Sequence, residues 1–188
     1  MKSTSLDASF VPWDPHEVNG KIHEHIFVAS DDRHEPTGAI VNPTDEALAR
    51  FEQFNINVDR TWYWNGWDAS DVSPADDSSN ALEDLIEDTN VRDDANDIVI
   101  GWAHDMDHNG IAKIGGPYCV CSDSANLKVD WPHDSIVQHE VSHNFDAEDQ
   151  GYWGYEHPEC IMNYEWAYLG RNIWCSSCED VVQYGIEH

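Results

Sequence analysis

His139-Glu140-Val141-Ser142-His143 is the stretch on which the reading of the fold turns. On a helix, residues i and i+4 stand one turn apart on the same face, so the two imidazoles can converge on one point. Converging imidazoles are a grip for a divalent metal such as Zn²⁺. A carboxylate beside the first of them can take a proton from water activated there. A chain of 188 residues with 11 His would contain this pattern by chance in roughly one case in twenty, so its neighbours must carry the reading. Pro132 followed by Asp134 or Ser135 offers a capped helix start, and Val137, Val141 and Phe145 recur at i, i+4 and i+8. A helix packed on a core is predicted, with His139, Glu140 and His143 beside the buried stripe.

A catalytic zinc takes three protein ligands and leaves one position open. After His143 the chain runs Asn144-Phe145-Asp146-Ala147-Glu148-Asp149. Asp149 is the expected third ligand, with His157 and then Glu148 as the other candidates. Asp146 stands where the chain must leave the helix, and Asp tolerates positive φ at modest cost.

These residues align with the metzincin pattern H-E-x-x-H-x-x-G-x-x-H, with Asp146 and Asp149 at the Gly and third His positions. Downstream, Cys160-Ile161-Met162-Asn163-Tyr164 resembles the Met-turn of that clan. Upstream, Gly110 to Gly116 followed by Cys119 resembles the edge strand of adamalysin/reprolysin-type enzymes. Trp174-Cys175-Ser176-Ser177-Cys178 resembles the segment whose cysteine opens their last helix. The aspartate ligand is similar to snapalysin. The Cys-x-Met and Cys-x-x-Cys resemble archaemetzincins, although one of that family's four cysteines lacks a counterpart and the spacing is shorter.

The resemblance implies a zinc-dependent endopeptidase acting on proteins or peptides. It implies one catalytic Zn²⁺ on His139, His143 and Asp149, with Glu140 as general base and Met162 as the floor beneath the metal. It also implies that an extended substrate pairs with the strand Ile111, Ala112, Lys113 and Ile114. Tyr164 is similar to the astacin and serralysin tyrosine that stabilises the oxyanion; its other reading is packing. Two alternatives stand beside the enzyme. The substitutions at Asp146 and Asp149 suit a zinc-binding but inactive binding module. A gluzincin-type site would take Glu165 as third ligand, against which the Met-turn argues.

The five cysteines are Cys119, Cys121, Cys160, Cys175 and Cys178, an odd count that leaves at least one unpaired or metal-bound. The adamalysin resemblance implies a bridge from Cys119 or Cys121 to Cys178 or Cys175, with Cys160 available for a second, in an exported protein. The competing reading is a second, structural Zn²⁺ on the four thiolates of Cys-x-Cys and Cys-x-x-Cys. Asp105-Met106-Asp107-His108-Asn109-Gly110 opens like a Ca²⁺ loop but has Gly116 where a bidentate Glu is needed, so an acidic turn is expected. The histidines His16, His23, His25, His34, His104, His108, His133 and His188 show no ligand spacing.

The formal charge is −28, from 37 acidic groups against nine Lys and Arg, spread along the whole chain. Such self-repulsion is relieved in concentrated salt, and a halophilic surface is expected; the alternative is an acidic face that attracts cationic substrates. Phosphates would be repelled, which argues against nucleic-acid binding. No apolar run of about 18 residues could span a membrane. Met1 to Asp7 lacks an apolar segment, so no signal peptide is visible: the chain is either intracellular or a secreted protein in mature or trimmed form, the latter being expected with the disulfide reading, and a monomer is expected.

An α+β domain with an α/β-like upper part is predicted over residues 1–188, with residues 1–20 as an irregular lead-in. Strands are expected over Ile22–Ala29, Ile56–Trp67, Asp97–Ala103 and the edge strand after the Asn109-Gly110 turn, forming a twisted mixed sheet with an antiparallel edge. The three main helices are one capped by Asn42 before Pro43, one through Ala81, Leu82, Leu85 and Ile86, and the His139 helix. An irregular lower part with the Met-turn and a terminal helix from about Glu179 follows. Trp62, Trp64 and Trp67 are read as core and rim packing.

Overall fold

The computed structural model describes residues 20–93, 95–124 and 130–188; the predicted lead-in up to residue 19, His16 included, lies outside them. Strands β1 (Lys21–Ala29), β2 (Asn57–Trp67), β3 (Asp97–Ala103), β4 (Gly110–Ala112) and β5 (Tyr118–Ser122) form one sheet in the order β2-β1-β3-β5-β4. All neighbours run parallel except β4, which is antiparallel to β5. Helices α1 (Val41–Phe51), α2 (Ser78–Asp88), α3 (His133–Asn144), α4 (Tyr164–Tyr168) and α5 (Ser176–Glu187) complete a mixed α/β architecture.

Alternation along the strands decides which helix each face meets. Ile22, Ile26 and Val28 of β1 join Ala47, Leu48 and Phe51 of α1, Val137 and Val141 of α3, and Val182 and Ile186 of α5. Phe27 and Ala29 point the other way, to Leu82 and Leu85 of α2 and to Trp67, Val99 and Val120. The α3 stripe is as the spacing predicts, with Val137, Val141 and Phe145 fully buried, a contribution of about 1.5–3 kcal/mol each. Gly185 lets α5 approach the end of that helix, since a Cβ there would come within 2.6 Å of the Phe145 carbonyl oxygen.

The differences from the sequence reading are local. The sheet has a fifth strand, β5, in the stretch read only for its cysteines. Two helix starts differ from the caps expected of them. Asn42 lies inside α1, whose first turn tolerates Pro43 because its N–H groups lack helical acceptors anyway. Asp134 and Ser135 do not cap α3. Asp134 takes Arg50 and the Asn172 amide, while Ser135 donates to Asn172, so both tie the helix start to its surroundings. Helix α2 is capped by Asp77, which accepts from Ser79 N–H, and its Ile86 is exposed. Helix α5 begins at Ser176. Asp107 spends its carboxylate on Ser78 N–H and His108 at the start of α2. Trp67 is buried, whereas Trp62 and Trp64 stack on each other 5.2 Å apart at the sheet edge. Among the described residues no helix is long and apolar enough to cross a membrane.

Candidate metal centre and cleft

Helix α3 runs beneath edge strand β4, and a cleft of about 960 Å³ opens between them. His139 and His143 face it one helical turn apart, as their spacing requires. His139 Nδ1 donates to the carbonyl of Ile161 at 2.9 Å, and His143 Nδ1 donates to that of Ala147 at 2.6 Å. A carbonyl can only accept, so each ring carries its proton on Nδ1 and turns the lone pair of Nε2 inward. The two Nε2 atoms lie 3.2 Å apart. Asp149 Oδ1 lies 3.1 Å from one and 3.5 Å from the other. Two lone pairs and a carboxylate oxygen directed at one point call for a cation between them.

Two backbone features hold this arrangement. Asp146 adopts φ 65° after the helix ends, the conformation expected at that position, and so swings Asp149 back under the imidazoles. The carbonyl that orients His139 belongs to a tight turn, Cys160–Asn163, in which Asn163 N–H closes on Cys160 O and the fully buried Met162 accepts from Gln150 N–H through its carbonyl. His157, Glu148 and Glu165 do not join the imidazoles. Glu165 accepts from Gly154 N–H in the preceding loop.

Charges in the cleft are strongly biased. Burial pushes the Glu140 carboxyl up, against the pull of His139 and His143. Burial alone would lower His143, but the neighbouring Asp149 carboxylate reverses it, and the net direction is up. Asp149 is held far below the usual carboxylate range, because the pull of the His139 and His143 rings outweighs its own desolvation. Tyr164 donates to Asp149 Oδ2 at 2.9 Å, and burial and that carboxylate push its phenol up.

The sequence missed three contributors. Gly110, read as a turn former, leaves the space that Glu140 occupies: a Cβ there would come within 2.6 Å of Glu140 Cγ and Oε1. Trp131 packs its ring edge-to-face on both His139 and Tyr164, and Tyr152 stacks edge-on against Tyr164. Trp131 is itself fixed by donating its N–H to Asn109 Oδ1. A Trp-Pro pair at a helix entrance was the available signal for it. The edge strand is also shorter than expected. Ile111 and Ala112 are in β4, but Lys113 and Ile114 belong to the turn closed by Gly116 N–H on Lys113 O, with Gly115 at φ 65°.

All five cysteines are free thiols, so the disulfides expected between the two pairs are not formed. Cys119 and Cys121 point from β5 into the buried layer under α3 and do not gather with Cys175 and Cys178 into one group of ligand atoms. A different set gathers instead: His157, Cys160 and Cys175 lie with ligand atoms within 4.8 Å of one another. Cys178 hydrogen-bonds Cys160, and that bond, with the N–H groups of Cys175 and Met162, holds the Cys160 thiol below its ordinary range.

No protein-family profile matches the sequence, and no curated protein matches it. Among solved structures, the chain is similar to the crystal structure of archaemetzincin from Methanopyrus kandleri. The identity is 13 %, the TM-score 0.57, and the match covers 90 % of this chain and 98 % of that one. At this identity the similarity shows a shared fold.

Proposed function

We propose that this chain is a zinc-dependent endopeptidase. The observation that carries the reading is the convergence of His139 Nε2, His143 Nε2 and Asp149 Oδ1 under a cleft that also receives Glu140. The fold shared with archaemetzincin supports it. Two imidazoles and a carboxylate suit Zn²⁺ and leave a position open, and the carbonyls behind both rings are the outer partners that zinc histidines take. Zinc so held would supply a Lewis acid for the scissile carbonyl and lower the pKa of water toward neutrality.

The protein's own groups do the rest. Glu140, buried against Gly110, accepts a proton from the attacking water and returns it to the leaving amine. Gly110, Ile111 and Ala112 offer a short edge for an extended peptide, with Ile114 widening the apolar rim. Tyr164 orients Asp149 and stands beside the cleft where oxyanion charge would develop. The turn containing Met162 acts as the Met-turn, fixing His139 through the Ile161 carbonyl. With a charge of −28 the enzyme is proposed to work in concentrated salt. The test is casein digestion in molar salt by the holoenzyme and by Glu140→Ala. The variant keeps its zinc and loses about 10²–10⁴-fold in rate; full activity would end the proposal.

We also assign a structural Zn²⁺ to His157, Cys160 and Cys175, with Cys178, which hydrogen-bonds Cys160, as the candidate fourth ligand. His157→Cys should retain this zinc, and His157→Ala should lose it with a lower melting temperature. Equal zinc content in all three forms would remove the assignment.

A further inference from the structure

A second constellation of two imidazoles and a carboxylate lies on the opposite face of the sheet. His23 and His25 alternate on β1 toward the α2 side, the side of Phe27 and Ala29, and Asp97 opens β3 directly beside His23. Their ligand atoms lie within 4.8 Å of one another. His25 Nε2 is 3.0 Å from Asp97 Oδ1, and His23 Nδ1 is 3.9 Å from the same oxygen, beyond hydrogen-bond reach. The opposite nitrogen of each ring is held by a hydroxyl from β2: His23 Nε2 by Thr61 at 2.7 Å and His25 Nδ1 by Tyr63 at 3.0 Å. Asp97 Oδ2 accepts from Asp93 N–H at 2.7 Å, and Oδ1 is the oxygen that faces both imidazoles. Each of the three side chains is thus fixed from behind and shares one forward point, the arrangement that outer partners impose on metal ligands. His25 and Asp97 are buried while the His23 ring is about one-third exposed, so the point has a route to solvent.

We propose that His23, His25 and Asp97 bind a divalent first-row transition ion, with Zn²⁺ as the expected occupant. The donor set of two nitrogens and one oxygen selects this class over Ca²⁺ or Mg²⁺, which take oxygen alone. The ion clips β1 to β3, and through Thr61 and Tyr63 to β2, at the start of the parallel sheet. Its role is structural, or regulatory through zinc supply.

The test is zinc stoichiometry of the full chain by equilibrium dialysis and metal analysis, with crystals soaked in Zn²⁺ and measured across the zinc edge. The wild type should bind one equivalent more than His23→Ala/His25→Ala and should show an anomalous peak bounded by the three side chains. If the double variant fails to fold, His23→Gln, at a partly exposed position, should weaken that equivalent at least about 10-fold with casein hydrolysis unchanged. Equal stoichiometry in wild type and variant, or a soaked crystal with no peak there, overturns the proposal and leaves the cluster as a hydrogen-bonded strand clamp. The proposal is independent of the peptidase reading, because zinc at His139 and His143 is counted separately by its own anomalous peak.

Discussion

The centre on α3 and the cluster on β1 have the same donors, two imidazoles and an aspartate, and differ in what stands behind the rings. Behind His139 and His143 are carbonyls, which fix the proton on Nδ1 and commit both inner nitrogens to a cation. Behind His23 and His25 are hydroxyls, which donate or accept, so those rings can satisfy themselves with or without an ion. The helix also delivers a third group, Glu140, into the same cleft, whereas the residue between the strand histidines points to the other face. Chemistry is therefore expected at the first centre and ion-dependent stability at the second. The sharpest contrast is His143→Ala against His25→Ala. The first should bring hydrolysis to background and remove the zinc of that centre, and the second should leave hydrolysis intact. Parallel loss of hydrolysis in both would break the distinction.

The residue between His23 and His25 gives the next largest effect. Glu24 is fully buried in the α1–α3 layer, and desolvation pushes its carboxyl up to about 8, only partly opposed by Arg60. The folded state therefore binds a proton that the unfolded chain releases near 4.5. Stability from this group is complete below pH 4.5 and is lost as pH rises through 8, by roughly 4–5 kcal/mol in all. Glu24→Gln should flatten that slope in denaturant titrations from pH 5 to 9, and an unchanged slope would contradict the assignment.

About a hundredfold is expected from Gly110→Ala. The added Cβ meets Glu140 at 2.6 Å and must displace the carboxylate by a fraction of an ångström to an ångström. Catalytic rate should fall with zinc content and melting temperature nearly unchanged. A variant with wild-type rate would mean that Glu140 does not work from the position it occupies.

Local pattern and long-range contact were unequally legible in the sequence. The α3 stripe, the strands β1, β2 and β3, and the left-handed exit at Asp146 follow from spacing and residue type, because their causes lie within a few residues. Strand β5 is short and fully buried, so it lacks the polar alternation of a half-exposed strand, and Cys119 and Cys121, at alternate positions, are its inward-facing residues. Gly110 against Glu140, His157 beside Cys175, and His25 beside Asp97 join residues 18 to 72 positions apart, and only the sheet order and the loop paths bring them together. His23 and His25 have a spacing that means nothing on a helix and puts both rings on one face only on a strand.

The smallest effects test the comparison most closely, because they remove a hydroxyl behind each centre and nothing else. Tyr164→Phe deletes the donor to Asp149 Oδ2, and Tyr63→Phe deletes the partner of His25 Nδ1. Loss of an outer partner weakens metal binding by about 10- to 100-fold, and the lower end is expected at both positions. At the α3 centre the two carbonyls remain in place. At the β1 cluster the His25 ring keeps its contact with Asp97. In chelator competition, Tyr164→Phe should release the α3-centre zinc about 10-fold more readily and slow hydrolysis at limiting zinc, with the β1 ion untouched. Tyr63→Phe should do the reverse. Should Tyr164→Phe lower the rate at saturating zinc with no change in affinity, the phenol acts on the substrate's developing oxyanion and not through Asp149, and the likeness between the two tyrosines ends there.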